Sequence, residues 1–288
     1  MFLLNFSDYL IVILIHRFYF CRKLNNLDMN SIFKNFLTVV LLSTVTFSSI
    51  AQNESKEPSN DTIPPSKWSI NVGADLMSRY VWRGTDYGDS PSIQPYLSLA
   101  YDNFEIGCWN SFSATNKYRE IDLYIKYTIK RFSITLTDYY IPYNNGNPAS
   151  PDVRYFAYKN QTTAHTFEAA LQYKGSEKHP FWIMGAVFLY GNDKRWGYQP
   201  ELDTTNKTYF SSYFEAGYTF SIKDNKLDVF AGLTPMAGAF GNSFGIINLG
   251  ITAYKSIKIN KEYSLPVKGS LIFNPQANTA HFVFGISL

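Results

Sequence analysis

The chain has 288 residues, a formal net charge of +3 and a sequence pI of about 8.6. Charged residues make up 17% and aromatic residues another 17%, against about 25% charged in an average soluble domain. This balance excludes the strongly basic surface that a nucleic-acid partner would need, and the surplus of rings favours contact with lipid or sugar.

Two apolar runs lie near the start. The first, "YLIVILIHRFYF" (9–20), belongs to residues 1–28, read as an upstream extension before a true start at Met29, with a longer signal or an anchor as alternatives. The second follows Met29: one charge, Lys34, then an apolar run from Phe36 to Thr46, then Ser49 and Ala51 at the two positions a signal peptidase inspects. Residues 29–51 therefore read as a cleaved export signal, too short for a comfortable spanning helix. Cleavage would remove Cys21 and leave Cys108 alone, so no intrachain disulfide is expected. Residues 52–66 are polar, end in two prolines before Ser66, and read as a disordered leader.

From residue 67 the period changes to two. Trp68, Ile70, Val72, Ala74 and Leu76 alternate with Ser69, Asn71, Gly73 and Asp75. Leu97, Leu99 and Tyr101 continue the pattern, then Phe104, Ile106 and Cys108, then Ile121, Leu123, Ile125, Tyr127 and Ile129. Phe132, Ile134 and Leu136 follow, then Phe167, Ala169, Leu171 and Tyr173. Further strands are expected near 181–190, 209–220, 226–234, 245–255, 263–273 and 280–288. The total is about twelve strands, mostly of roughly 9–11 residues, the length that crosses a bilayer at a tilt.

The connections sort into two kinds. "YDNF", "KRF", "KGSEKHP", "KDNK" and "KINKEY" are short, whereas the segments after 83, 112, 141, 190, 234 and 274 are mostly longer and rich in Gly, Asn and Pro. An outer-membrane barrel has this arrangement, with short periplasmic turns and longer external loops. A closed barrel of about twelve strands is too wide for side chains to fill, so its inner face should be polar and its outer face apolar. The intervening positions agree: Asp75, Arg79, Arg83, Glu105, Asp122, Lys126, Glu168, Glu215 and Lys268 are the expected pore-lining residues. Rings gather at strand ends (Trp68, Tyr101, Phe104, Tyr127, Phe132, Tyr173), as interfacial girdles do. The expected fold is thus an all-β, transmembrane, antiparallel up-and-down barrel over residues 67–288. Its last strand carries Phe282, Phe284, Ile286 and Leu288 towards lipid, pairs with the first strand, and is expected to serve as the signal read by the barrel assembly machinery.

Within the first barrel residues, Ser78-Arg79-Tyr80-Val81-Trp82-Arg83-Gly84, with Gln94-Pro95 and then Gly107-Cys108-Trp109, resembles the opening of the TorF-like family of outer-membrane porins. The resemblance covers about the first 45 barrel residues, and Leu288 stands where a terminal aromatic is usual. It implies an exported, channel-forming barrel with no catalytic residues.

Asp75, Arg79 and Arg83 share parity and are expected to stack up one lumenal wall, where Arg83 either charges the pore entrance or pairs with a lumenal carboxylate. Tyr124, Tyr139, Trp109 and Tyr213 face inward as a stacking track or as filling. The 141–164 loop either folds into the pore or stays external. For catalysis, His165 with Ser212 or Glu168 is the one set to consider, and it remains an alternative as a lipid-modifying enzyme. A closed barrel that binds through its surface loops is the other alternative. No cofactor or metal is expected, since there is no Cys pair, no His-x-x-x-His and no glycine-rich phosphate loop. The reading that results is a porin for passive diffusion of small solutes, set in bacterial outer-membrane lipid. Chemical sequencing of the exported protein should return Gln52 as its first residue; a mature chain that still begins at Met29 would overturn the signal reading.

Overall fold

The computed structural model describes residues 67–142, 151–160, 162–194 and 208–288; the extension, signal and leader lie outside them. The described residues hold fourteen strands: β1 (Trp68–Met77), β2 (Tyr80–Trp82), β3 (Thr85–Tyr87), β4 (Ser92–Tyr101), β5 (Phe104–Ser113), β6 (Arg119–Ile129) and β7 (Phe132–Tyr140), followed by β8 (His165–Ser176), β9 (His179–Gly191), β10 (Ser212–Ile222), β11 (Asn225–Thr234), β12 (Gly245–Lys258), β13 (Ser264–Asn274) and β14 (Thr279–Ser287). Twelve of them form one closed antiparallel barrel, each paired with its neighbour in the chain order β1, β4, β5 through to β14. The remaining two, β2 and β3, pair only with each other.

Register follows the apolar alternation. Ile70 lies opposite Leu99, Leu99 opposite Ile106, Ile106 opposite Ile125 and Ile125 opposite Leu136, a continuous row around half of the wall. On the other half Val229, Ile251, Leu271 and Phe282 do the same. These residues point outward and are open to the surroundings, Ile70 by 72% and Phe282 by 67%. A one-residue slip in any pair would turn such a row into the lumen, so the pattern specifies the register. Water would not solvate this face, whereas lipid chains do.

At the short-turn end the belt finishes in rings. Trp68 and Tyr101 are opposite one another with centroids 4.6 Å apart, and Phe132 and Tyr173 are likewise opposite at 4.9 Å. The tight turns there begin with Asp102, Lys130 and Lys223 at positive φ, which lets two residues reverse the chain. Closure depends on a short seam: Asp75, Leu76 and Met77 pair with Ser287, Ile286 and Gly285, and the Leu288 amide donates to the Ala74 carbonyl at 2.9 Å.

After Met77 the chain leaves the wall. Tyr80 pairs with Tyr87, Val81 with Asp86 and Trp82 with Thr85, and the Arg83-Gly84 turn between them has φ of 49° and 78°. Positive φ at both central residues is the mirror-image turn that matches strand twist. Gly84 is required twice over, because a Cβ there would meet the Ile247 carbonyl oxygen at 1.8 Å. The expected external loop after Arg83 is therefore a hairpin folded into the bore.

The outer rows set a test of the lipid-facing assignment. Leu271→Arg, in the middle of the belt, should lower the stability of the barrel refolded into vesicles by about 2–4 kcal/mol, read by urea titration. Ser270→Thr, on the lumenal side of the same strand, should be close to neutral; equal losses would refute the assignment of faces.

Candidate functional site

The hairpin is anchored by one buried cation. Arg83 donates from Nη1 to Glu168 Oε2 at 2.5 Å and from Nη2 to Oε1 at 3.0 Å, a two-pronged pair with both side chains almost wholly buried. Tyr139 donates to the same carboxylate at 2.9 Å. The guanidinium carbon lies 4.3 Å from the Trp82 ring centre, 4.6 Å from Tyr213 and 4.8 Å from Phe240, so three aromatic faces surround the charge. Phe240 comes from the 235–244 segment, which also folds inward and packs on Phe188 and Tyr213. On the opposite wall Asn274 donates to the Gly84 carbonyl at 3.3 Å. The hairpin thus spans the bore from β8 to β13.

The expected stack of Asp75, Arg79 and Arg83 up one wall does not form, because the chain turns inward between the first and the second. Asp75 accepts from Lys268 at 2.8 Å and from Ser287 at 2.7 Å. Arg79 instead binds Asp86 and Asp89 within its own hairpin, tying its strands together locally. Glu105 accepts from Tyr124 at 2.6 Å and from Lys126 at 3.3 Å. Glu215 accepts from Tyr213 and, at 2.6 Å, from Asn248. Most of the expected lumenal charges are therefore paired with one another. Among the described residues Glu215, Asp122 and its strand neighbour Glu120 have no lysine or arginine partner: Glu215 takes neutral donors, Tyr118 donates to Glu120 at 3.0 Å, and Glu120 and Asp122 are hydrogen-bonded to each other.

Among the described residues, three cavities lie against the hairpin. One of about 350 Å³ lies between Tyr80, Trp109, Asp122, Tyr124 and Lys126. A second of about 410 Å³ reaches from Arg83 and Glu168 to Gln172 and Glu215. The third, about 470 Å³, opens towards the long loops past Tyr87, Lys117 and Tyr118. All three are walled by Trp82 and Tyr139, whose rings are 5.4 Å apart. The expected inward rings Trp109, Tyr124, Tyr139 and Tyr213 are all found around these spaces.

Where it is described, the 141–164 loop stays outside the bore. Residues 151–160 run along the rim over outward-pointing side chains of β7 to β9: Tyr140 donates to the Val153 carbonyl at 2.5 Å and Tyr190 to Tyr158 at 2.7 Å. Beside them, hydrogen bonds from Arg154 lower the pKa of the partly exposed Asp152 carboxyl to about 2. His165 is fully buried below, with Nδ1 at 2.8 Å from Asp138 and Nε2 at 2.6 Å from the Tyr155 carbonyl. Both ring nitrogens are thereby used. The catalytic set with Glu168 is not assembled, since alternation puts Glu168 on the inner face where Arg83 binds it, and Ser212 lies on β10, beyond β9.

Sequence reasoning missed Glu120, Asn248, Phe240 and the inward hairpin. Glu120 is legible in hindsight, two residues before Asp122 on the same face. The others act through contacts far apart in the chain, which leave no local pattern.

Removing the charge on one side tests the anchor. Arg83→Ala should destabilise the barrel by about 3–5 kcal/mol, because it strands a buried carboxylate. Adding Glu168→Gln to that variant should restore much of the loss; strictly additive losses in chemical unfolding would show that the pair is not coupled.

No family model and no curated protein matches the chain, so the TorF-like resemblance gains no support from sequence. Among solved structures, an outer membrane channel from Pseudomonas putida F1 is similar at 12% identity and a TM-score of 0.39, over 81% of this chain and 98% of that one. BamA from Haemophilus ducreyi lacking POTRA domains 1–3 is similar at 14% identity and a TM-score of 0.34, over 72% of this chain and 41% of that one.

Proposed function

We propose that the chain is a bacterial outer-membrane barrel that lets small solutes diffuse through its lumen, with the β2–β3 hairpin as its constriction. The observation that carries this reading is the meeting of three polar-and-aromatic lumenal cavities at Trp82 and Tyr139. A barrel built only to present its loops has no use for such spaces on both sides of a constriction. The apolar belt and the ring girdle support insertion in lipid. In this reading the long-loop end faces outward and the short-turn end the periplasm. The barrel assembly machinery is its folding partner, reading the outward-facing Phe282, Phe284, Ile286 and Leu288. Among the nine residues expected to line a pore, Asp75, Glu105, Asp122, Lys126, Glu168, Glu215 and Lys268 belong to the wall, while Arg79 and Arg83 belong to the constriction. The mutual pairing of these charges favours weak selectivity between anions and cations.

Single-channel recording tests it. The folded barrel in a planar bilayer should show small discrete steps that scale with salt, and Trp82→Ala should enlarge them severalfold by shortening the side chain at the junction. A folded protein that stays silent both before and after that substitution would refute the channel and favour a closed, surface-binding barrel.

A further inference from the structure

Among the described residues Asp86, Asp122 and Asp228 each carry a buried oxygen without a hydrogen-bond partner; Asp86 is held by Arg79 and Asp228 by Tyr254, whereas Asp122 has only the neighbouring carboxyl of Glu120. Asp122 is 5% exposed and its Oδ1 has no hydrogen-bond partner. The group lines the cavity of about 350 Å³, whose other walls are Tyr80, Trp82, Trp109, Tyr124 and Tyr139. A buried ionisable oxygen without a partner is costly unless a ligand or water completes it. Its surroundings favour a particular kind of ligand. Five aromatic rings line a space of the size that holds a small molecule, and aromatic faces attract cations. The remaining charges on that cavity are Glu105 and Lys126, which bind each other at 3.3 Å and so cancel. Glu120, next along the wall, is hydrogen-bonded to Asp122, so the two carboxyls hold one proton between them and the pair carries one negative charge with no positive charge beside it.

We propose that this cavity is a binding site for small organic cations of the ammonium type. Asp122 supplies the counter-charge, and Trp82, Trp109, Tyr80, Tyr124 and Tyr139 wrap the apolar groups on nitrogen. A hydrated metal ion would leave the rings unused. A neutral sugar would stack on them but leave the carboxylate without an opposite charge, and an anion would be repelled. Arg83 shows that such a grip operates in this lumen: a cation held by one carboxylate and three rings, supplied here by the chain itself. The inference deepens the channel reading, on which it rests, by naming the solute class that would pause within the bore.

The test is an equilibrium one, on the folded barrel in detergent micelles at constant salt. Choline and its uncharged carbon isostere, 3,3-dimethylbutan-1-ol, are titrated while tryptophan fluorescence and heat of binding are followed. Choline should bind saturably and at least about tenfold more tightly than the isostere, a gap of about 1.4 kcal/mol. Asp122→Asn should remove most of that preference, and Trp109→Ala should weaken choline while leaving the charge in place. Equal binding of the two probes, unchanged choline affinity in a folded D122N variant, or no saturable binding would overturn the site. Should D122N fail to refold, the choline-to-isostere ratio on the unaltered chain and the W109A variant decide the question. Because the readout needs no current, the two ideas fail separately. Binding in a barrel that is silent in bilayers would keep the site and sink the channel, and steps without binding would do the reverse.

Discussion

A backbone amide in hydrocarbon has no water to fall back on, and a sheet that enters a bilayer must therefore have no free edge at that depth. That constraint organises this molecule. It requires β1 to find β14, although the two are separated by almost the whole barrel sequence, and it sets the alternation that places Ile70, Leu99, Ile106, Ile125 and Leu136 in one outer row. The seam where the two ends meet is the shortest ladder of the wall, three register pairs against ten between β1 and β4, and side chains reinforce it from within. Asp75 takes hydrogen bonds from Ser287 and from Lys268, so the inner face joins β1 to both β14 and β13 at the level where the backbone joins them.

Closing twelve strands creates a second problem, because the cylinder is wider than its own side chains can fill. The chain answers it with material from its long-loop end. The β2–β3 hairpin and the segment bearing Phe240 turn inward, and their rings meet Phe188, Tyr139 and Tyr213 from the wall. Arg83 is the keystone of this arrangement. A guanidinium is planar, weakly hydrated for a cation, and able both to stack on rings and to bind a carboxylate through two parallel hydrogen bonds. Lysine in its place would satisfy Glu168 through one donor direction only and would lose the planar contact with Trp82. A buried pair of this sort is weak evidence for stability, since desolvation offsets much of the attraction. Its contribution here is to fix where the hairpin sits.

The fill leaves space on both sides, and the chemistry of that space is uneven. Around Glu105, Glu168, Glu215 and Asp75 each acid has a donor or a cation assigned to it. Around Asp122 there are rings and an unused oxygen. At the rim, by contrast, residues 152–160 and Thr163 close over Asp138 and His165 on the outer side, with Tyr155 and Tyr158 against the His165 ring. Residues 78–91 and 151–160, each carrying two tyrosines, thus serve opposite faces of the same wall.

The sequence alone determined the wall. A period of two is a local property, readable within ten residues, and so the strands, their outward rows, the ring girdle at the short turns and the count of twelve all follow from it. It also determined which acids and bases face inward, since parity assigns Glu105, Asp122, Lys126, Glu168, Glu215 and Lys268 without knowledge of their partners. Tertiary structure decided everything that depends on what lies across the bore. That Arg83 meets Glu168, 85 positions away, that Gly84 presses on Ile247, and that His165 points outward to Asp138 while Glu168 points inward are outcomes of closure and of loop docking. Loops carry no period, and a contact across a cylinder leaves no spacing in the chain. The physics that specifies a strand is short-ranged, and the physics that fills a barrel is not.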